Sequence, residues 1–412
     1  MGKRIWSKSG ITLMLVALLI VLPVTFSYAA KLKVGILADY TGAAAVMSGP
    51  AANGMMDYLK HVNETKGGVK GNIIDIDWLD CKFKPSLALN AYHRMKDQNA
   101  LVLCAVNSPY VKAAMPFIVK DKMPMMTLAN NLPFVYKVSE KFPSEWVYGT
   151  GSCAAEEYTS FVLWALDKWK ENRPMRLVLA YPDNSYGKAL LQGFPGWVEK
   201  KKGVEIVGQE IVPMNPDDAT SFLVKIKKYK PDYVLLRCMA NGIAIFLRDA
   251  KRVGMKAPII GNYVGKPGDI ERLIASRDLL DGFMIANFYG VLEDKGAWGM
   301  DLARKISEKY QKKPLQDMGS MYWWGVGVGM IIEEALRLAV EAVGPEKITS
   351  AIMKEKGLDR VTNLDTGGIM GTVTIKAGDH RSVVQHRIIS YKNGKLVVLR
   401  DWTDNVPFIK VK

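Results

Sequence analysis

The sequence predicts an α/β protein of two doubly wound lobes, each a mostly parallel sheet with helices on both faces. Short apolar runs alternate with helix-length amphipathic segments, which is the pattern of a parallel sheet covered on both sides. The alternation stops at Gly149-Thr150-Gly151-Ser152 and then starts again. The chain, at 412 residues, exceeds the roughly 250–300 at which a single hydrophobic core stops growing.

Residues 1–29 are set apart as a signal peptide. Lys3, Arg4 and Lys8 precede the apolar run Ile11–Val21, and Ser27-Tyr28-Ala29 places small residues at a cleavage site before Ala30. No Cys follows the apolar run, so a lipid anchor is not expected. Cleavage leaves 383 residues with 53 basic and 41 acidic side chains, a net +12, free in the periplasm. The surplus Lys residues fall on exposed helix faces, as in Lys200-Lys201-Lys202, and no nucleic-acid-binding module accompanies them.

The elements follow in order. Lys33–Ala38 is a strand, about 50–64 a helix, Ile73–Leu79 a strand whose Ile/Asp alternation is that of a half-exposed element, and Pro85–Gln98 a helix. In Leu101–Asn131 an apolar strand ends at Asn107-Ser108-Pro109, a helix follows, and a second strand ends at Asn130-Asn131. Both polar turns then lie at carboxyl ends of neighbouring parallel strands, the edge where such sheets bind ligands. Ser108 either caps its helix or, with the free N–H groups there, holds a small anion.

After Ser152 come a helix (about 154–170), strands at Arg176–Tyr181 and Val204–Val212, a helix at Thr220–Tyr229, a strand at Tyr233–Arg237 and a helix at Asn241–Val253. Pro258–Ile260 and Gly282–Ala286 read as short strands. Helices at Trp298–Tyr310, Met321–Val343 and Pro345–Lys356 precede strands at Gly371–Ile375, Val383–Lys392 and Lys395–Leu399, the last two a hairpin around Asn393-Gly394. Gly325, Gly327 and Gly329 suit close packing of their helix on a sheet.

Four cysteines enter an oxidising compartment. Cys81 and Cys104 end consecutive apolar strands expected to be neighbours, so a bridge between them is predicted. Cys153 with Cys238 is the second pairing, and three connectivities stay open. No P-loop, H-E-x-x-H or G-x-S-x-G occurs, Gly149-x-Gly151 lacks the strand and acidic residue of a dinucleotide site, and the four His are dispersed. The sequence therefore predicts no enzyme, cofactor or metal.

Lys33-Val34-Gly35-Ile36 with Thr41-Gly42, Asn63-x4-Gly68 with Gly71, Ser185-Tyr186-Gly187, and Asp379-His380-Arg381 near the end together resemble a type I periplasmic solute-binding protein. The chain is similar to the branched-chain amino-acid (leucine/isoleucine/valine) binding family of ABC importers. The resemblance implies two Rossmann-like lobes joined by three hinge crossings, lobe I at 30–149 with 288–370 and lobe II at 150–287 with 371–412. It implies a monomer that clasps a small solute, closes like a Venus flytrap and docks transiently on a membrane ABC permease. A ligand sensor feeding a signalling partner is the alternative on the same fold.

Residue by residue, the resemblance puts Ser108, the backbone of Ala129, and Asn131 at the positions that hold an α-carboxylate, with Asn107 and Asn130 beside them. Tyr186 keeps a lobe II tyrosine. Two acidic residues that neutralise the α-ammonium fall at Cys153 and Tyr263, and a lobe II aromatic at Met239. A buried ammonium without a carboxylate would cost several kcal/mol, so an amino-acid ligand requires Glu156 to reach back. The competing expectation is an organic or aromatic carboxylate in a pocket lined by Tyr40, Tyr110, Trp146, Tyr148 and Tyr289.

Overall fold

The computed structural model describes residues 1–2, 30–128, 135, 144–263, 269–376 and 378–403. The expected signal peptide, Ala129, Asn130 and Asn131 lie outside the described residues.

The first sheet is built from β1 (Leu32–Ala38), β2 (Ile74–Asp80), β3 (Val102–Ala105), β4 (Met125–Thr127) and β5 (Val147–Gly149), in the order β2-β1-β3-β4-β5. All four pairings are parallel. β3, β4 and β5 are wholly buried, as continuous apolar strands covered on both faces should be, whereas β2, at the edge, is mostly half-buried with no alternation. The helices α1 (Ala45–Lys66), α2 (Pro85–Asp97) and α3 (Ser108–Ile118) connect them.

The first helix begins at Ala45, before Pro50. The Asp39 carboxylate accepts the Gly42 and Ala44 N–H groups at 2.6 and 3.0 Å, which holds the chain in a turn that winds directly into helix. Pro50 is thereby carried inside α1, where it forfeits the ladder bond an N–H at that position would make to the Val46 carbonyl.

The second sheet has the order β12-β11-β10-β9-β8-β6-β7. Its strands are β6 (Met175–Tyr181), β7 (Val204–Ile211), β8 (Tyr233–Leu236), β9 (Ile259–Gly261), β10 (Met284–Asn287), β11 (His386–Lys392) and β12 (Lys395–Thr403). The first five pair in parallel, and β11 and β12 add an antiparallel edge. Helices α4 (Ala154–Lys168), α5 (Thr220–Lys228) and α6 (Ala240–Arg252) cover it. The expected strand at Gly371–Ile375 is reduced to bridges, Met370 with Tyr289 and Val373 with Leu364. Val373, Ile375 and Val383 pack in the core of the first sheet, so the chain stays with that sheet past residue 371.

Helices α7 (Trp298–Ile306) and α8 (Ser320–Val343) return to the first sheet. A Cβ on Gly54 of α1 would stand 2.0 Å from the Tyr322 carbonyl oxygen, and one on Gly325 of α8 would stand 2.1 Å from that of Ala51. The glycines therefore bring two helices together, rather than a helix and a sheet. No helix among the described residues is long and apolar enough to cross a membrane.

All four cysteines are free and buried. The Cys81–Cys104 bridge fails because the strand order is not the chain order. β1 lies between β2 and β3, with Ile36 opposite both Trp78 and Cys104. Two strand spacings, about 9–10 Å, already exceed the reach of a disulfide. The Cys153–Cys238 pairing is likewise not formed.

Candidate functional site

The two sheets approach each other across a cavity of about 410 Å³. Ala43, just before α1, Met47 and Pro50 from its start, Met318, just before α8, and Met321 from its start wall one side. Met214, Met239 and Leu273 from the second-sheet loops and Asn241 from the start of α6 wall the other. Five methionines thus face one space, and the thioether side chain adapts to irregular apolar shapes. Arg272 spans the rim, pairing with Asp269 at 2.8 Å and donating to the Asp317 carbonyl at 3.0 Å, while Ser320 donates to Asp269 at 2.6 Å.

The β3–α3 turn adjoins this cavity through Ser48, next to Met47, whose hydroxyl meets the Asn107 amide oxygen at 3.0 Å. Asn107 occupies the helix-cap position with extended backbone, and Ser108 is the first residue of α3. Ser108 is therefore not the cap, and its half-buried side chain stands at the helix N-terminus, where partial positive charge favours an anion.

On the second-sheet side the structure brings Tyr186, Met239, Cys153 and Tyr263 against the first core. Tyr186 donates to the Cys238 carbonyl at 3.1 Å and accepts from the Asn262 amide at 3.0 Å, which leaves its ring face as the surface it can offer. The Tyr263 N–H is held by Glu157 at 3.0 Å and its carbonyl accepts the Tyr289 hydroxyl at 2.6 Å. Its ring meets Trp324 and Phe288 edge-on or tilted, at 5.5 and 5.7 Å between centroids. Burial pushes the Tyr263 hydroxyl up to about 12, against the opposing pull of Arg237, so it is a neutral donor at any ordinary pH. Cys153 caps α4, and burial holds its thiol well above the usual range.

Three expectations are corrected. Glu156 does not reach into the cleft: one oxygen accepts the Cys153 N–H at 2.8 Å and the other is held by the Arg381 guanidinium, which also grips Asp379. Tyr40 turns its hydroxyl onto Asn53 of α1 at 2.6 Å and packs edge-on to Trp78, and it does not line the cavity. Among the described residues, none of the five expected aromatics walls the cavity. Tyr110 accepts the Phe83 N–H at 2.8 Å, Tyr148 donates to Asp359 at 2.6 Å and stacks on His380, Tyr289 binds Tyr263, and Trp146 lies against Lys354.

Two buried charges at this interface were missed from the sequence. Glu157 follows Glu156 on α4, and because adjacent helical positions splay apart it reaches the Tyr263 N–H while Glu156 does not. Arg237 directly continues the apolar run Val234-Leu235-Leu236 and is 1 % exposed. A cation ending a buried strand was the available signal.

A family model described as periplasmic binding protein matches residues 31–395. The chain is 24% identical over 248 residues to Leu/Ile/Val-binding protein homolog 8 of Brucella abortus, a match covering 59% of this chain and 58% of that protein. The alignment thus spans somewhat more than half the length of the curated relatives. Among solved structures, a branched-chain amino acid ABC transporter protein from Thermus thermophilus with bound valine superposes with a TM-score of 0.80 at 18% identity, over 91% of this chain and 97% of that one. A fatty acid ABC transporter substrate-binding protein from Thermomonospora curvata gives 0.77 at 23% identity, over 91% and 93%.

Proposed function

Because the chain belongs to the periplasmic binding protein family and has its type I fold of two Rossmann-like lobes, we propose that it captures a small organic solute between its lobes as the substrate-binding component of an ABC importer. The solute passes chemically unchanged to a membrane permease, and the protein works in the periplasm. Lobe I comprises 30–149 with 288 to about 383, and lobe II comprises 150–287 with the remainder. The three crossings between them fall near Gly149–Ser152, Asn287–Tyr289 and Val383–His386.

The observation that carries this reading is the cavity of about 410 Å³ with walls from both sheets. Its size is that of a small-molecule site, and closing two lobes around a solute requires contacts from both sides. The wall is mostly apolar and rich in methionine, which supports a solute with an apolar body. The positions where the resemblance expects acidic partners for an ammonium hold Cys153 and Tyr263, and Glu156 is occupied by Arg381. A carboxylate without an adjacent amine therefore suits the site better than a free amino acid. Ser108 and the N-terminus of α3 offer donors for its acceptor oxygens.

Dialysis of the purified protein against a labelled acid, followed by mass spectrometry of the released solute, tests capture without turnover. Stoichiometric recovery of the unaltered acid is expected. A converted product would contradict the reading.

A further inference from the structure

Arg237 sits at the carboxyl end of β8, with its backbone N–H still bonded to the Ala180 carbonyl at 2.8 Å. Its side chain is buried against the interface between the lobes. The guanidinium lies 4.3 Å above the Tyr186 ring and 6.0 Å from that of Tyr263. Nε donates to the Tyr186 carbonyl at 2.7 Å. Nη1 has no hydrogen-bond partner, and no carboxylate lies within ion-pair distance of Arg237 among the described residues. Glu157, the acidic group that acts on it electrostatically, accepts the Tyr263 N–H instead.

A guanidinium removed from water without an anion is expensive, because its hydrogen bonds to the Tyr186 carbonyl and the Tyr263 side chain offset only part of its charge. Stacking on Tyr186 recovers part of that cost and fixes the plane of the fork, leaving Nη1 to be satisfied. The next residues of the chain, Met239, Ala240 and Asn241, line the cavity. The uncompensated cation therefore stands two residues from the apolar wall.

Resting on the capture reading, we propose that Arg237 is a specificity-determining anchor that takes the carboxylate of the solute, so that the protein selects apolar carboxylic acids over their neutral analogues. The carboxylate meets Nη1 as the lobes close, and the apolar body lies along Met239 and the facing methionines. A planar fork donating to a carboxylate gives a strong, directional contact, and an amide of the same shape offers one neutral acceptor in its place.

The test is isothermal titration of wild type, Arg237→Gln and Arg237→Lys with benzoate and benzamide, octanoate and octanamide, and leucine. Far-UV circular dichroism checks the fold of each variant. Wild type is expected to prefer at least one acid over its amide by about 30-fold or more, the scale of a desolvated charge pair. Arg237→Gln abolishes that preference, and Arg237→Lys keeps part of it; if the Gln variant does not fold, the partial loss in the Lys variant decides. Equal acid affinity in wild type and a folded variant overturns the inference while leaving solute capture standing. Tight binding of leucine that is indifferent to Arg237 does the same. Binding of none of the five by wild type contradicts the capture reading and removes this inference with it.

Discussion

Ser108 and His386 show how much a single side chain states about its role and how much it withholds. Ser108 was legible as a donor at a strand end because its neighbours Asn107 and Pro109 mark the turn; that the cap position belongs to Asn107 depends on backbone angles that residue types leave open. Replacing Ser108 with Ala is expected to weaken solute binding by about 1–3 kcal/mol, the cost of losing a donor to a buried charged acceptor. Unchanged affinity in a titration would remove it from the site. His386 is one of four His dispersed along the sequence. It is fully buried, 2.7 Å from the Ser152 hydroxyl, and burial beside Arg400 and Arg381 lowers its pKa to about 3. The unfolded chain protonates this imidazole near 6.5 and the folded protein resists doing so. Stability from His386 is thus complete above about pH 6.5 and is lost as pH falls from there towards 3. In urea unfolding at pH 7.5 and 5, His386→Gln should lose less stability on acidification than wild type. Parallel losses would contradict the assignment.

Strands and helices were read well wherever the pattern is local. The apolar run of β6 and the amphipathic stretch of α6 carry their own period, and their observed bounds, Met175–Tyr181 and Ala240–Arg252, differ from expectation by a residue at most ends. What failed was pairing, which is non-local. Cys81 and Cys104 close consecutive strands that β1 separates, and no residue of either strand announces this. The glycine series of α8 was recognised as a packing device, but its partner, α1, lies over 250 residues away in the sequence. At that contact Gly54→Val would drive a branched side chain into the Tyr322 carbonyl. Overpacking typically costs about 1–3 kcal/mol, and a rigid backbone on the far side leaves little room to relax. The urea midpoint is expected to fall accordingly; a midpoint equal to wild type would mean that the helices can separate without loss.

For the whole molecule, the crossings between lobes are where sequence and structure meet least directly. Asp379-His380-Arg381, near the end of the chain, is one of the motifs that carry the resemblance. The structure adds what holds it: the His380 carbonyl accepts the Gly149 N–H at 2.9 Å, the Ser382 N–H bonds the Gly149 carbonyl at 3.0 Å, and Arg381 joins Asp379 to Glu156 at the start of α4. This links the end of the first sheet to the first helix of the second. Breaking the buried pair with Arg381→Met leaves Glu156 uncompensated and is expected to cost about 3–5 kcal/mol of stability, seen as a lower melting temperature. An unaltered melting temperature would show that the pair is not buried in solution. The chemical character of the cleft was only half legible. The missing acidic partners at Cys153 and Tyr263 could be read from the sequence, whereas the five methionines that converge on one cavity are scattered from Met47 to Met321.

The central claim is that the two lobes enclose an apolar solute carrying a carboxylate and no neighbouring amine. The most direct measurement is the melting temperature of the wild-type protein in equal concentrations of octanoate, benzoate, leucine and valine, since a ligand bound only by the folded state stabilises it by mass action. One or both acids should raise the melting temperature while leucine and valine leave it unchanged. A rise with leucine or valine and none with the acids would contradict the account.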